Sequence, residues 1–413
     1  MITIKNVDTP DGVREEISIE SATDGFIDGS GLTLIPAAID PHVHFRTPGA
    51  EYKEDWMSGA RAALSGGVTT VFDMPNNTPS CTTKEDLRNK EQLVKQQLRQ
   101  AGIPLRHYFY LGVTKDNLDQ LGICASEVVG FKIFMGSSTG DLLVDDPAIL
   151  EEVFAAAAQL NKVVSVHAED EASIQRNMRR LSNQNDPSIH SRIRERSAAI
   201  YATEQAIRLA QRYGTRLCIL HTSTKEEIAL AKAAKEEGVD VNIEVAPHHL
   251  FLDQEAYNRM QNRVKMNPPL RTEQDRLALW EGIHDGTVDF IGSDHAPHLV
   301  SEKDQNYKEA PAGVPGVETT LPLLLDACNR GWISLKQIIG LTRTNIQKIF
   351  SIVDNQDVVL IDTKLRRTVR SQMIVSKCGW SPYEGMALTG WPVLTITHGT
   401  VYDLGEQPCH SAN

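Results

Sequence analysis

Two rhythms of apolar and polar positions divide the chain. Between about residues 37 and 354, short runs rich in β-branched and aromatic residues alternate with longer segments that suit helices. The runs fall at 35–45, 68–76, 106–113, 128–135, 162–169, 216–223, 241–249 and 289–298. Two of the intervening segments, 54–67 and 224–238, end in Gly, as helices commonly do. Strands alternating with helices predict a parallel α/β sheet, and eight such units closed on themselves predict a TIM (β/α)8 barrel. At both ends of the chain the pattern reverts to short strands: Ile2 to Val7, Glu16 to Glu20 and a run near Leu32, then 357–362, 371–376 and 393–403. Neither end is long enough for a good core alone. Residues 1–36 and 355–413 are therefore expected to pack together as one small β domain beside a barrel of residues 37–354. One extended loop, at 299–317, is polar and then rich in Gly and Pro.

Composition narrows the picture only a little. A length of 413 residues fits a large domain plus a smaller one. The formal net charge of -12 argues against a nucleic-acid partner, because phosphate binding wants a basic face. It does not exclude a small anionic substrate, since local arginines and metal ions outweigh the global field. The six cysteines are scattered without a CxxC pair, which speaks against both a disulfide framework and a thiolate metal site. No apolar run approaches the roughly 20 residues that span a bilayer. The N-terminus lacks a basic start followed by an apolar core. The expectation is a cytoplasmic protein with no membrane and no nucleic acid among its partners.

The candidate chemistry lies where the strands end, which is where TIM barrels place it. The first run ends in Asp40-Pro-His42-Val-His44, the fourth carries Lys132, the fifth and sixth end near His167 and His221, and the eighth carries Asp294. His residues two apart on a strand point to the same side, so His42 and His44 can reach one ion. Imidazole and carboxylate are suitable zinc ligands. A lone His167 or His221 reads more naturally as a core histidine; the joint pattern reads as a metal site. Lys132 sits in an apolar strand where a free ammonium is costly, so it is either salt-bridged, snorkelling or chemically altered. His248, His249 and His295 read as packing or supporting residues.

On these motifs the chain resembles the amidohydrolase superfamily and, within it, the dihydroorotases, over nearly its whole length. The resemblance implies a barrel with a small β domain built from both chain ends. It implies that His42 and His44 of the DxHxH motif bind one zinc with Asp294, and that His167 and His221 bind a second. It also implies that Lys132, carbamylated by carbon dioxide, bridges two Zn2+ ions together with a hydroxide. Asp294 would handle protons. The implied activity is the reversible cyclisation of N-carbamoyl-L-aspartate to L-dihydroorotate in de novo pyrimidine biosynthesis. Similar enzymes are often homodimers, and a homodimer is an expectation of the same kind.

Hydantoinases and allantoinases share the metal ligands, so the substrate-facing residues must discriminate. Arg46 follows His44 by two residues and offers a planar guanidinium to a ring carboxylate. Allantoinases typically carry Asn there. Asn76, Asn267 and His298 match further substrate-binding positions of the family, and Ser138 and Thr139 match a loop that offers hydroxyls. The backbone of 313–316 matches a stretch that contacts the ring amide. The plainer readings are a structural salt bridge for Arg46, a turn cap for Asn76, a surface loop for His298 and a Gly/Ser turn for 136–141. A third alternative is a catalytically silent scaffold related to dihydroorotases. Such proteins lose metal ligands, whereas all six matched positions are filled here.

Overall fold

The computed structural model describes residues 1–137 and 142–404. Eight parallel strands follow one another round a barrel: Ala38–Val43, Val68–Asp73, Arg106–Gly112, Gly130–Phe134, Val163–His167, Leu217–Ile219, Val241–Val245 and Phe290–Ile291. Each pairs with the next in sequence. The ring closes between last and first through a parallel bridge of Val43 with His295, where the His44 N–H donates to the His295 carbonyl at 2.8 Å. Every residue of the first, second, fourth and fifth strands is buried. That is why their sequences run apolar without alternation: helices cover the outer face and side chains fill the interior.

The apolar runs overshoot the ladders. Of 289–298 only Phe290 and Ile291 pair as strand, and the seventh run turns at Pro247 into a short helix, Pro247–Phe251. The pattern continues past the strands because the segments leaving the barrel are themselves buried. The helices begin where short polar side chains satisfy their first N–H groups. Asp55 accepts from Met57 and Ser58 at the head of Trp56–Ser65, and Thr224 forms a reciprocal box with Glu227 at the head of Lys225–Glu236.

Both chain ends join one seven-stranded sheet. Thr33–Pro36 pairs antiparallel with Val358–Thr368, which continues to Ala387–Thr397 and Thr400–Asp403; on the other side lie Ile2–Thr9, Gly12–Ile19 and Gly25–Asp28. Ile4, Val7, Leu34, Leu360 and Ile396 share its core, so neither end buries its apolar face without the other. The run at 371–376 departs from expectation. It is no strand but a 3-10 turn, Ser371–Met373, followed by Val375 and Ser376, whose N–H groups donate to the Glu318 carboxylate at 2.8 and 2.9 Å. A side chain supplies the acceptor that a neighbouring strand would have provided.

The polar loop at 299–317 is pinned from beneath. Buried Lys303 donates to the carbonyls of Lys265, Pro311 and Gly313, each at 2.9 Å. Lys265 in turn donates to the carbonyls of Tyr307 and Ala310. No helix among the described residues is long and apolar enough to cross a membrane.

Candidate metal centre

The strand ends bring His42, His44, Lys132, His167, His221 and Asp294 around one cavity, which Arg46, Asn76 and Asn267 also line. Three of these residues turn the chain sharply as it leaves its strand: Arg46, His221 and Asp294 have φ of 58°, 38° and 46°. Left-handed backbone at a non-glycine residue costs about 1–3 kcal/mol, and such strain gathers at functional sites.

Hydrogen bonds on the outer ring nitrogens decide which lone pairs face inward. His42 Nδ1 donates to Glu244 Oε1 at 2.8 Å, and His44 Nδ1 donates to Asn76 Oδ1 at 2.7 Å. Both Nε2 atoms are left as acceptors, and each stands 3.3 Å from Asp294 Oδ1. His167 is turned the other way: its Nε2 donates to Glu169 Oε2 at 2.8 Å, and its Nδ1 faces His221 Nε2 at 3.0 Å. Acceptors placed on the far nitrogen fix tautomer and ring plane, which is how proteins prepare imidazole for a metal. His42, His44 and Asp294 hold their ligand atoms within 4.8 Å of one another.

Lys132 is fully buried, and its Nζ has no hydrogen-bond partner among the described residues. Burial lowers its pKa to about 7, against the pull of Glu244 and Asp294. Burial likewise lowers His44 to about 4. Burial would raise Asp294, but His42 and His44 outweigh it and hold the carboxyl well below the usual range. An orphaned amine, inward lone pairs and an ionised carboxylate form a donor set that fits divalent metal ions.

Of the residues expected at the substrate, Arg46, Asn76 and Asn267 line the cavity, while Ser138 and Thr139 lie outside the described residues. Gly313 lines it too, with Ala312 beside it. His298 is no surface residue. It is 1 % exposed and stands behind Arg46, its Nε2 3.1 Å from a terminal nitrogen of that guanidinium. Among the described residues Arg46 makes no salt bridge within hydrogen-bonding range; its Nε donates to the Pro297 carbonyl at 3.1 Å.

Several supporting residues escaped the sequence reading. Glu244 holds His42 and also accepts the His221 backbone N–H at 2.9 Å. Gly292 makes room for it, since a Cβ there would lie 2.6 Å from Glu244 Oε2. Glu169 holds His167 and pairs with Arg194 at 3.3 Å; Arg194 and His167 bring its pKa down to about 2 in spite of burial. Arg194 Nε and His190 Nε2 both reach Asn267 Oδ1 at 2.9 Å, which turns the Asn267 amide nitrogen away from them. The available signal was acidic residues inside apolar runs, Glu169 and Glu244, since a buried carboxylate needs a partner.

Known proteins share this sequence and this fold. The model of the amidohydrolase family matches residues 33–339. A dihydroorotase of Methanosarcina acetivorans is 35 % identical over 407 residues, covering 92 % of this chain and 84 % of that one. A dihydroorotase of Bacillus subtilis is 34 % identical over 395 residues, covering 92 % and 89 %. Among solved structures, the L-hydantoinase of Arthrobacter aurescens superimposes with a TM-score of 0.91 at 27 % identity, covering 98 % and 97 %. By sequence match across most of its length, and with a matching barrel fold, the chain belongs to the amidohydrolase family.

Proposed function

We propose that this protein is a zinc-dependent dihydroorotase, interconverting N-carbamoyl-L-aspartate and L-dihydroorotate. The observation that carries this reading is Arg46: a buried guanidinium lining the same cavity as the metal candidates, without a carboxylate partner within hydrogen-bonding range among the described residues. A buried cation wants an anion, and a ring carboxylate is what distinguishes dihydroorotate from neutral cyclic amides. The relatives named dihydroorotase support the same choice.

His42, His44 and Asp294 would hold one zinc, His167 and His221 a second, and carbamylated Lys132 would join them. Zinc bound there lowers the pKa of water toward neutrality and acts as a Lewis acid on the scissile carbonyl. Lys132, with a pKa near 7, is in good part the neutral amine that carbon dioxide requires. The amine nitrogen bonds to the carbon of carbon dioxide and releases a proton, turning a neutral amine into a carbamate anion. In ring opening, water adds to the ring carbonyl carbon and Asp294 takes its proton. The carbon–nitrogen bond then breaks as Asp294 returns that proton to the nitrogen. Cyclisation runs the same steps backwards. Arg46 clamps the carboxylate so that the reacting carbon is presented correctly, with Asn76 and Asn267 beside it; such positioning is worth several kcal/mol.

The test compares dihydroorotate, allantoin and dihydrouracil on purified, metal-analysed protein, following ring opening by ultraviolet absorbance. Opening of dihydroorotate alone, with about two zinc per chain, is the expected result. The fold likeness to a hydantoinase makes a neutral cyclic amide the rival substrate. Opening of dihydrouracil without dihydroorotate would establish that rival. Replacing Arg46 by Ala removes two charge-assisted hydrogen bonds and is expected to raise KM for dihydroorotate by ~10²-fold while zinc content holds. An unchanged KM removes Arg46 from the substrate site.

A further inference from the structure

Arg46 can serve a ligand only if its terminal nitrogens are not consumed inside the protein, and the side chain that could consume them is His298. His298 Nε2 lies 3.1 Å from the Arg46 terminal nitrogen and 3.0 Å from the Ala312 carbonyl. The imidazole has two neutral forms. With a bare Nε2 it accepts the Arg46 N–H and leaves Ala312 without a donor. With a protonated Nε2 it donates to Ala312 and offers Arg46 nothing. The other ring nitrogen decides between them. Nδ1 lies 3.0 Å from Lys53 Nζ, an ammonium that can only donate, so Nδ1 must be the acceptor and Nε2 must carry the hydrogen.

We propose that Lys53 is a positioning residue that sets the tautomer of His298 and thereby keeps Arg46 available to a carboxylate-bearing substrate. The inference rests on the dihydroorotase reading for the substrate, but not for the tautomer. Lys53 is itself held: it pairs with Glu302 at 2.9 Å, and Tyr52 donates to the same carboxylate at 3.1 Å. Its side chain is only 14 % exposed. The groups facing His298 are Arg46, Lys53 and Lys303, with Glu302 Oε2 at 3.8 Å from Nδ1. Burial and these cations keep the ring neutral, so a tautomer choice is what remains. Without Lys53, Glu302 is the neighbour of Nδ1. It would draw a hydrogen there, leave Nε2 bare and turn it on Arg46. The hydrogen bond to Ala312, on the rim of the cavity, would be lost in the same change.

The experiment reads the imidazole ¹⁵N signals of the zinc-loaded protein, with those of His298 assigned by their loss in His298→Gln. The parent and Lys53→Arg are expected to show a protonated Nε2 and a pyridine-like Nδ1, and Lys53→Met is expected to lose that pattern. In steady-state assays Lys53→Met is expected to raise KM for dihydroorotate about tenfold, the size of one lost hydrogen bond, with kcat and zinc content held. Lys53→Arg restores KM. In a His298→Gln background Lys53→Met adds nothing. A protonated Nδ1 in the parent overturns the proposal whatever the substrate proves to be. So does a KM rise in Lys53→Met that persists in the His298→Gln background. A parent protein with the expected tautomer but no turnover of dihydroorotate leaves Lys53 in its role and overturns the substrate reading instead.

Discussion

Replacing Lys132 by Ala is expected to strip the protein of zinc and lower kcat by roughly 10³–10⁴-fold, the equivalent of several kcal/mol of lost charge stabilisation. Short carboxylic acids should restore part of both, because the cavity left by the side chain is bordered by the imidazoles of His167 and His221 and by Asp294. A structural role would behave differently. Among the described residues the Lys132 ammonium has no hydrogen-bond partner to lose, and it lies over the face of Phe134 at 4.6 Å. Metal-free Lys132→Met, which keeps most of the volume, should therefore melt no lower than the metal-free parent. A Lys132→Ala protein that keeps its zinc and full activity ends the bridging role.

Asp294→Asn is expected to lower kcat by ~10²–10⁴-fold, because the amide can neither take the proton from water nor return it to the ring nitrogen. The sign of the pH dependence follows from the same residue. In the proposed reaction ring opening would start with an ionised Asp294, so its rate is expected to fall as pH drops through the pKa of that group. Cyclisation starts with the protonated acid, so its rate falls as pH rises. The resting protein favours the ionised form, since His42 and His44 hold the carboxyl down. Rates measured in both directions across pH on the parent check this directly. A direction preference that ignores pH removes Asp294 as the proton carrier.

Most of the barrel and the inner ring of the site were legible in the chain because two local rules coincide there. Buried parallel strands write themselves as apolar runs, and polar residues that interrupt the ends of such runs mark the mouth of the barrel. His42, His44, His167 and His221 could be placed on that basis. What stood behind them could not. Glu244 reaches His42 across 202 residues and Lys53 reaches His298 across 245, and no periodicity records such pairings. His298 belongs to the same class: its contacts with Arg46 and Lys53 leave no trace in the local pattern. The run at 371–376 shows the opposite failure. Its apolar residues imitate a strand, yet its N–H groups are satisfied by Glu318, a side chain more than fifty residues upstream. Local pattern reports which residues are buried; it does not report which partner satisfies the backbone.

The pinning of the 299–317 loop has a consequence for how this family member can vary. Lys303 and Lys265 grip main-chain carbonyls, and every amino acid supplies one. Tyr307 is held by its side chain as well, through His190 at 2.9 Å and the Lys265 ammonium over its ring, but Ala310 and Pro311 are held by what they have in common with any residue. Substitutions at such positions can accumulate without shifting the path of the loop, provided the two ammonium groups and the chain length between them persist. The rim of the cavity at Ala312 and Gly313 is in that sense insulated from mutational drift in the loop that carries it.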